Sequence, residues 1–194
     1  MTEIAYTGWP ILAALQLLPL FGAAVVFALG DRKGVVVLGR VIALLELVLG
    51  FVLYRHIDPA SPALQLAERI DAIGYHAGAD GVTALFVLLA ALIAVLMTLY
   101  GLVRGLAAPA RLMALILLAE AALMAMLVTV NLLWFALFSV VELAVAGYLI
   151  GHWSTSTEEN RLLAMTRFLQ FQGVGIALLA GGMLVLAWGH ADVT

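Results

Sequence analysis

The sequence has no cysteine and little charge: only 11% of its 194 residues are Asp, Glu, Lys or Arg. Without cysteine there is no disulfide scaffold, no iron–sulfur cluster, no thiolate metal site and no covalently attached c-type haem. The nine basic residues are scattered and the formal net charge is −3, which excludes a nucleic-acid partner. There is no nucleotide-binding loop, metal motif or nucleophile arrangement. No catalytic residue, cofactor or metal is therefore expected of this chain alone. What is abundant is apolar side chain, at 65% of residues, with a mean hydropathy of +1.16. Soluble domains run at roughly 45–50% apolar and about 25% charged, and a chain this short has no interior large enough to hide the excess. That composition excludes disorder as well. The sequence is that of an all-α polytopic membrane protein.

A hydrocarbon layer takes about 20 apolar residues per helix. Six runs satisfy this, at about residues 9–29, 35–54, 82–103, 112–130, 132–151 and 168–188, the fourth and fifth divided near Thr129–Asn131. Loops 1, 3 and 5 hold Arg32 and Lys33, Arg104 and Arg111, and Arg161, with Arg167 where span 6 begins. The opposite side has only Arg55 and Arg69, so the positive-inside rule puts both termini outside an energy-coupling membrane, expected to be a prokaryotic plasma membrane. No basic segment precedes span 1, so a cleaved signal peptide is not expected.

The polar stretch from Arg55 to Asp80 is the longest connection. Leu64, Leu66, Ala67, Ile70 and Ile73 recur in it at roughly helical spacing, against Glu68, Arg69 and Asp71. This reads as an amphipathic helix along the interface, or equally as a solvated connector. Pro10 and Pro19 are tolerable in a membrane helix where neighbours satisfy the freed carbonyl. Gly173, Gly175, Gly181 and Gly182 in span 6 suit close helix packing. Tyr6, Trp9, Tyr54, Tyr100, Trp153 and Trp188 sit near helix ends as interface anchors. His56, His76, His152 and His190 fall at span ends or in loops, where no facing pair forms for a b-type haem.

Glu46, Glu120 and Glu142 lie well inside predicted spans, where a carboxylate costs several kcal/mol. Such a group takes a proton, finds a cation or faces a wet cavity. Glu120 is nine residues after Arg111 and Glu142 ten before His152, which sets both about 13–15 Å deep. Two carboxyls at one depth on consecutive helices suggest steps of a proton or cation path; the alternative is a neutral acid that glues helices together. Glu46 lies six residues from Arg40, about 240° round the helix, so the two do not face each other. Arg40 is read as snorkelling to the cytoplasmic surface.

From about residue 74 to 188 the sequence resembles the antiporter-like membrane subunits of respiratory complex I, multisubunit cation/proton antiporters, membrane-bound hydrogenases and inorganic-carbon uptake complexes. The residues that carry the resemblance are His76-Ala-Gly-Ala-Asp-Gly-Val-Thr-Ala-Leu-Phe at the head of span 3, Leu117-Leu-Ala-Glu120 in span 4 and Asn131-Leu-Leu-Trp-Phe. Tyr148-Leu-Ile-Gly151 and the basic segment from Arg161 to Phe168 add to it. The most similar type is the chain-M-like proton-translocating subunit. The first two spans match only in hydropathy. Residues 1–79 would be a two-helix hairpin plus outer loop, and residues 80–194 a four-helix part of the first repeat.

The resemblance implies two inverted five-helix repeats, each with a broken helix, and a glutamate–lysine pair that gates proton movement. This chain ends after its sixth helix, so the lysine helix and second repeat would come from a partner. Aligned without gaps from Asn131 to Gly151, the family glutamate falls on Val140, and Glu142 lies two residues further on, about 200° round the helix. A π-bulge or a two-residue shift would restore it. Glu142, Glu120, Glu46 and Arg167 are the proton-path candidates. The expected role is a small membrane subunit, surrounded by lipid and other membrane subunits, of a translocase such as an NADH:quinone oxidoreductase-like complex. A non-conducting scaffold in a respiratory, hydrogenase-linked or carbon-uptake complex, or a small homo-oligomeric transporter, are the alternatives.

Overall fold

The computed structural model describes residues 3–5, 9–58, 60–61, 63–154 and 157–191; Tyr6, read as an anchor, lies outside them. Six helices are long and apolar enough to cross a membrane: α1 (Ile11–Leu29), α2 (Val35–His56), α3 (Gly81–Val103), α4 (Pro109–Val128), α5 (Leu132–Trp153) and α6 (Glu158–Ala191). The chain is a multi-pass membrane protein. The break between α4 and α5 falls at Thr129–Asn131, where backbone polar groups leave the helix and bond elsewhere: Val130 N–H donates to the His76 carbonyl at 2.9 Å.

α4 is the hub. It packs against α1, α2, α3 and α5, and 61% of its most apolar window is buried. Small residues permit the approach. A Cβ on Gly22 of α1 would meet Ile42 of α2 at 2.8 Å, and one on Gly39 of α2 would run into Met113 of α4. The core above and below this crossing is aliphatic, from Leu12 and Leu15 through Leu117 to Met124. Pro19 sits inside α1, which continues through it, and Pro10 stands just before its first turn.

α5 and α6 form a hairpin on the flank of this four-helix core. Its main contacts are α5 on α4 and α6 on α5. A Cβ on Gly147 would come 2.7 Å from Leu169, and one on Gly151 2.7 Å from Met165, so these two glycines set the spacing of the pair. The span 6 glycines do not: a Cβ at Gly173, Gly175, Gly181 or Gly182 meets nothing within 4 Å. α6 also begins ten residues earlier than hydropathy predicts. Glu158 and Glu159 fill its first turn, where acidic groups favour the helix dipole, and no glycine or proline interrupts the stretch before the apolar run. At 34 residues it is about 51 Å long, and Arg161 and Arg167 are helical.

The outer stretch is neither an amphipathic helix nor a bare connector. It forms β2 (Leu64–Ile70) and β3 (Tyr75–Ala79), an antiparallel hairpin turned by a 3-10 segment at Asp71–Ile73 and left-handed Gly74, with β1 (Glu3–Ala5) parallel along β2. Alternation competes with helical spacing here, and pairing decides: the antiparallel ladder of β2 on Tyr75–Ala79 satisfies backbone groups that a lone short helix would leave open. The hairpin clamps the helix ends at this side of the bundle. Glu68 accepts N–H bonds from Leu12 and Ala13 at 2.9 Å each, capping α1, whose own Pro10 offers no side-chain cap. Burial pushes the Glu68 carboxyl up, and the two N–H donors pull it part of the way back. The Tyr75 hydroxyl donates to Gln16 at 2.6 Å, and burial raises it to about 12. Asn131 caps α5 through Leu133 N–H and donates its amide to Gly74, both at 2.9 Å. Trp134 donates to the Ile73 carbonyl and stands edge-on to Tyr75.

Loops 1, 3 and 5 gather at the other end. Asp31 accepts from Ala110 N–H, Trp153 donates to the Ala107 carbonyl and Arg161 to that of His152.

Candidate functional site

Glu46 and Glu120 occupy positions where an aliphatic side chain would be expected. On α2 the buried stripe runs Gly39, Ile42 and Ala43, Glu46, Gly50, Leu53; on α4 it runs Met113, Leu117, Glu120, Met124. Both glutamates therefore follow the i, i+3/i+4 spacing of an apolar seam. They are 0% and 4% exposed, at the place where α2 touches α4, and within electrostatic reach of one another. All four carboxyl oxygens are buried without a hydrogen-bond partner among the described residues. Buried polar groups are usually hydrogen-bonded, and each exception needs a reason. Two buried carboxyl groups within electrostatic reach of one another can hold and release a proton.

Glu142 is placed differently. α5 is α-helical from end to end, with no π-bulge. Val140 is 49% exposed on the outer face, while Glu142 turns into a cavity of about 340 Å³ between α4, α5 and α6. Met126, Phe135, Phe168 and Ile176 supply apolar walls there, and Ser139 and Gln172 supply polarity. One Glu142 oxygen is buried and unpartnered. Phe168 lines this cavity and Arg167 does not; Arg167 is exposed on α6.

The sequence pairs Glu120 with Glu142 by depth. The fold sets Glu120 against Glu46 and gives Glu142 a compartment of its own. Arg40, five residues into α2, is half-buried with its Nε enclosed and lines a separate cavity, away from Glu46 as the 240° offset requires. The signal that finds Glu46 is the stripe itself, because Ile42 and Gly50 each lie one turn away.

The motif residues have structural work of their own. Asp80 accepts from Thr83 N–H at 2.7 Å and caps α3, and those N–H bonds hold its carboxyl below the usual range. The Arg111 guanidinium lies over the Tyr148 ring at 5.7 Å, tying α4 to the end of α5.

No family model and no curated protein sequence matches the chain. Among solved structures it is similar to a chain in the membrane-bound sulfane sulfur reductase, an archaeal respiratory membrane complex. The TM-score is 0.73 at 18% identity, covering 87% of this chain and 35% of the other. The chain thus spans about a third of the length of that neighbour, and at this identity the likeness is one of fold.

Proposed function

We propose that this chain is a membrane subunit of a multisubunit, energy-transducing complex, and that the Glu46–Glu120 pair handles a proton within it. The observation that carries this reading is the pair itself: two buried carboxyl groups, within electrostatic reach of one another and without hydrogen-bond partners among the described residues. A glutamate that served only to fill the seam would be replaced by leucine with a gain in stability, so its presence argues for a group that changes protonation. Glu142 offers a second site in the α5–α6 cavity. Arg167, exposed on α6, is positioned to meet a neighbouring subunit.

Two findings support the subunit reading. The fold is similar to a chain of a respiratory membrane complex, and no residue in the apolar window of α6 is buried. Other membrane subunits, including one that brings further helices, would cover that face; the antiporter-like, chain-M-type resemblance of residues 74–188 agrees with this. In this reading both termini lie outside. A non-conducting scaffold is the second reading, favoured by the separation of Glu142 from the Glu46–Glu120 seam.

Gentle purification from native membranes, followed by identification of co-migrating chains, tests the subunit claim. Recovery with redox or antiporter-like membrane subunits is expected. Recovery as a lone, stable homo-oligomer contradicts it. Growth under coupling-dependent conditions with Glu46→Gln, Glu120→Gln and Glu142→Gln tests the proton claim, and unchanged growth in all three leaves the scaffold.

A further inference from the structure

At the end of the bundle that holds loops 1 and 3, α2, α3 and α4 splay apart around a cavity of about 360 Å³. It is a groove of aliphatic side chains with one cation in its wall. Val36, Leu102, Leu106, Leu112, Met113 and Ile116 supply the apolar surface, and Arg40 enters from α2. The cavity exists because α3 presents Gly101 there and the chain turns at left-handed Gly105. A Cβ at Gly101 would already stand 3.1 Å from Leu112. Leu102 and Pro109 on its rim are exposed, so the cavity opens outward rather than being sealed in the core.

Arg40 is the anomaly. Its Nε is buried with no hydrogen-bond partner, and no carboxylate pairs with it among the described residues. It stands about 8 Å inside α2 from the helix start, in the first turns of an apolar span. The one other polar side chain in the lining, Thr98, is 2% exposed and donates to the Val95 carbonyl in its own helix, so it does not neutralise the guanidinium. The same end of the bundle carries further positive charge, with Arg32 and Lys33 in loop 1 and Arg104 and Arg111 flanking loop 3, against the single Asp31 in those loops.

We infer that this cavity is a binding site for one anionic phospholipid, with the phosphate on the Arg40 guanidinium and an acyl chain along the aliphatic groove. An unpaired guanidinium matches a phosphate diester by charge and by fork geometry, and basic pockets between membrane helices are where anionic headgroups settle. The aliphatic walls select a lipid over a free anion, because inorganic phosphate would leave them bare. A zwitterionic lipid fills the groove equally well but brings a choline or ethanolamine cation to an end of the bundle that is already basic. The site is independent of any proton role for Glu46 and Glu120.

The test is native mass spectrometry of the full-length chain in detergent, titrated with phosphatidylglycerol, with phosphatidylcholine and with inorganic phosphate. The expected result is one tightly held phosphatidylglycerol per chain, bound about tenfold more strongly than phosphatidylcholine and not displaced by millimolar phosphate. Arg40→Gln should bring phosphatidylglycerol down to the phosphatidylcholine level, Arg40→Lys should keep part of the preference, and Arg104→Gln, outside the cavity lining, should keep nearly all of it. Equal binding of the two lipids by the unaltered chain would overturn the proposal without recourse to any variant. So would a preference that survives Arg40→Gln, a loss as large with Arg104→Gln, or displacement of the lipid by phosphate.

Discussion

Glu46, Glu120 and Asp80 are all carboxyl groups on helices, and their surroundings give them different work. Asp80 stands at a helix start in reach of water and of the α3 N–H groups; Glu46 and Glu120 have no donor among the described residues. Asp80→Ala should therefore destabilise the fold by about 0.5–2 kcal/mol through loss of the cap, measured by thermal unfolding in detergent. The pH dependence has a definite sign. The Asp80 carboxyl is depressed in the folded state, so its contribution is complete above the unfolded value near 4 and disappears as pH falls through the folded one. Unfolding temperature should fall on acidification in the unaltered chain and fall less in Asp80→Ala. Tyr75→Phe removes one hydrogen bond, to Gln16, and should cost about 1 kcal/mol in the same assay. Of the site, the three intramembrane glutamates were legible because charge in a hydrocarbon span is rare. Their partnership was not, since depth fixes only one coordinate and the azimuth that brings Glu46 to Glu120 comes from helix packing.

At the scale of elements, hydropathy locates all six helices to within a few residues, apart from the start of α6, because a lipid-facing stripe and a buried stripe are both apolar. It misses β1, β2 and β3, where Leu64 to Ile73 satisfies two periodicities and only pairing with Tyr75–Ala79 chooses between them. It also misplaces the packing glycines, since small residues mark a close approach only where a neighbour exists. Gly147 and Gly151 face α6 side chains; a Cβ at Gly181 or Gly182 meets none of the described residues within 4 Å. Gly147→Leu should push α6 off α5, an overpacking cost of about 1–3 kcal/mol. Gly182→Leu should leave the unfolding of the isolated chain unchanged. If α6 packs against a partner through its free face, the same Gly182→Leu should reduce co-purification of that partner. Equal effects of the two substitutions on the isolated chain would contradict the placement of α6.

At the scale of the whole molecule, a four-helix core around α4 carries a hairpin whose outer surface stays apolar and open. In the reading proposed above, a neighbouring subunit covers that hairpin. Orientation is directly testable because the chain has no cysteine. Lys33→Cys should be labelled by membrane-impermeant maleimide only in inside-out vesicles, and Ser61→Cys only in right-side-out ones; the reverse pattern would invert the membrane topology. The central claim is that the Glu46–Glu120 pair handles a proton. It is tested most directly by substrate-driven proton uptake in inside-out vesicles containing the intact complex, with electron flow recorded in parallel. Glu46→Gln and Glu120→Gln should each cut proton uptake per electron by about tenfold or more while the complex stays assembled, and the double substitution should do little further harm. Uptake per electron equal to that of the unaltered complex, in an assembled complex carrying both substitutions, would contradict the account.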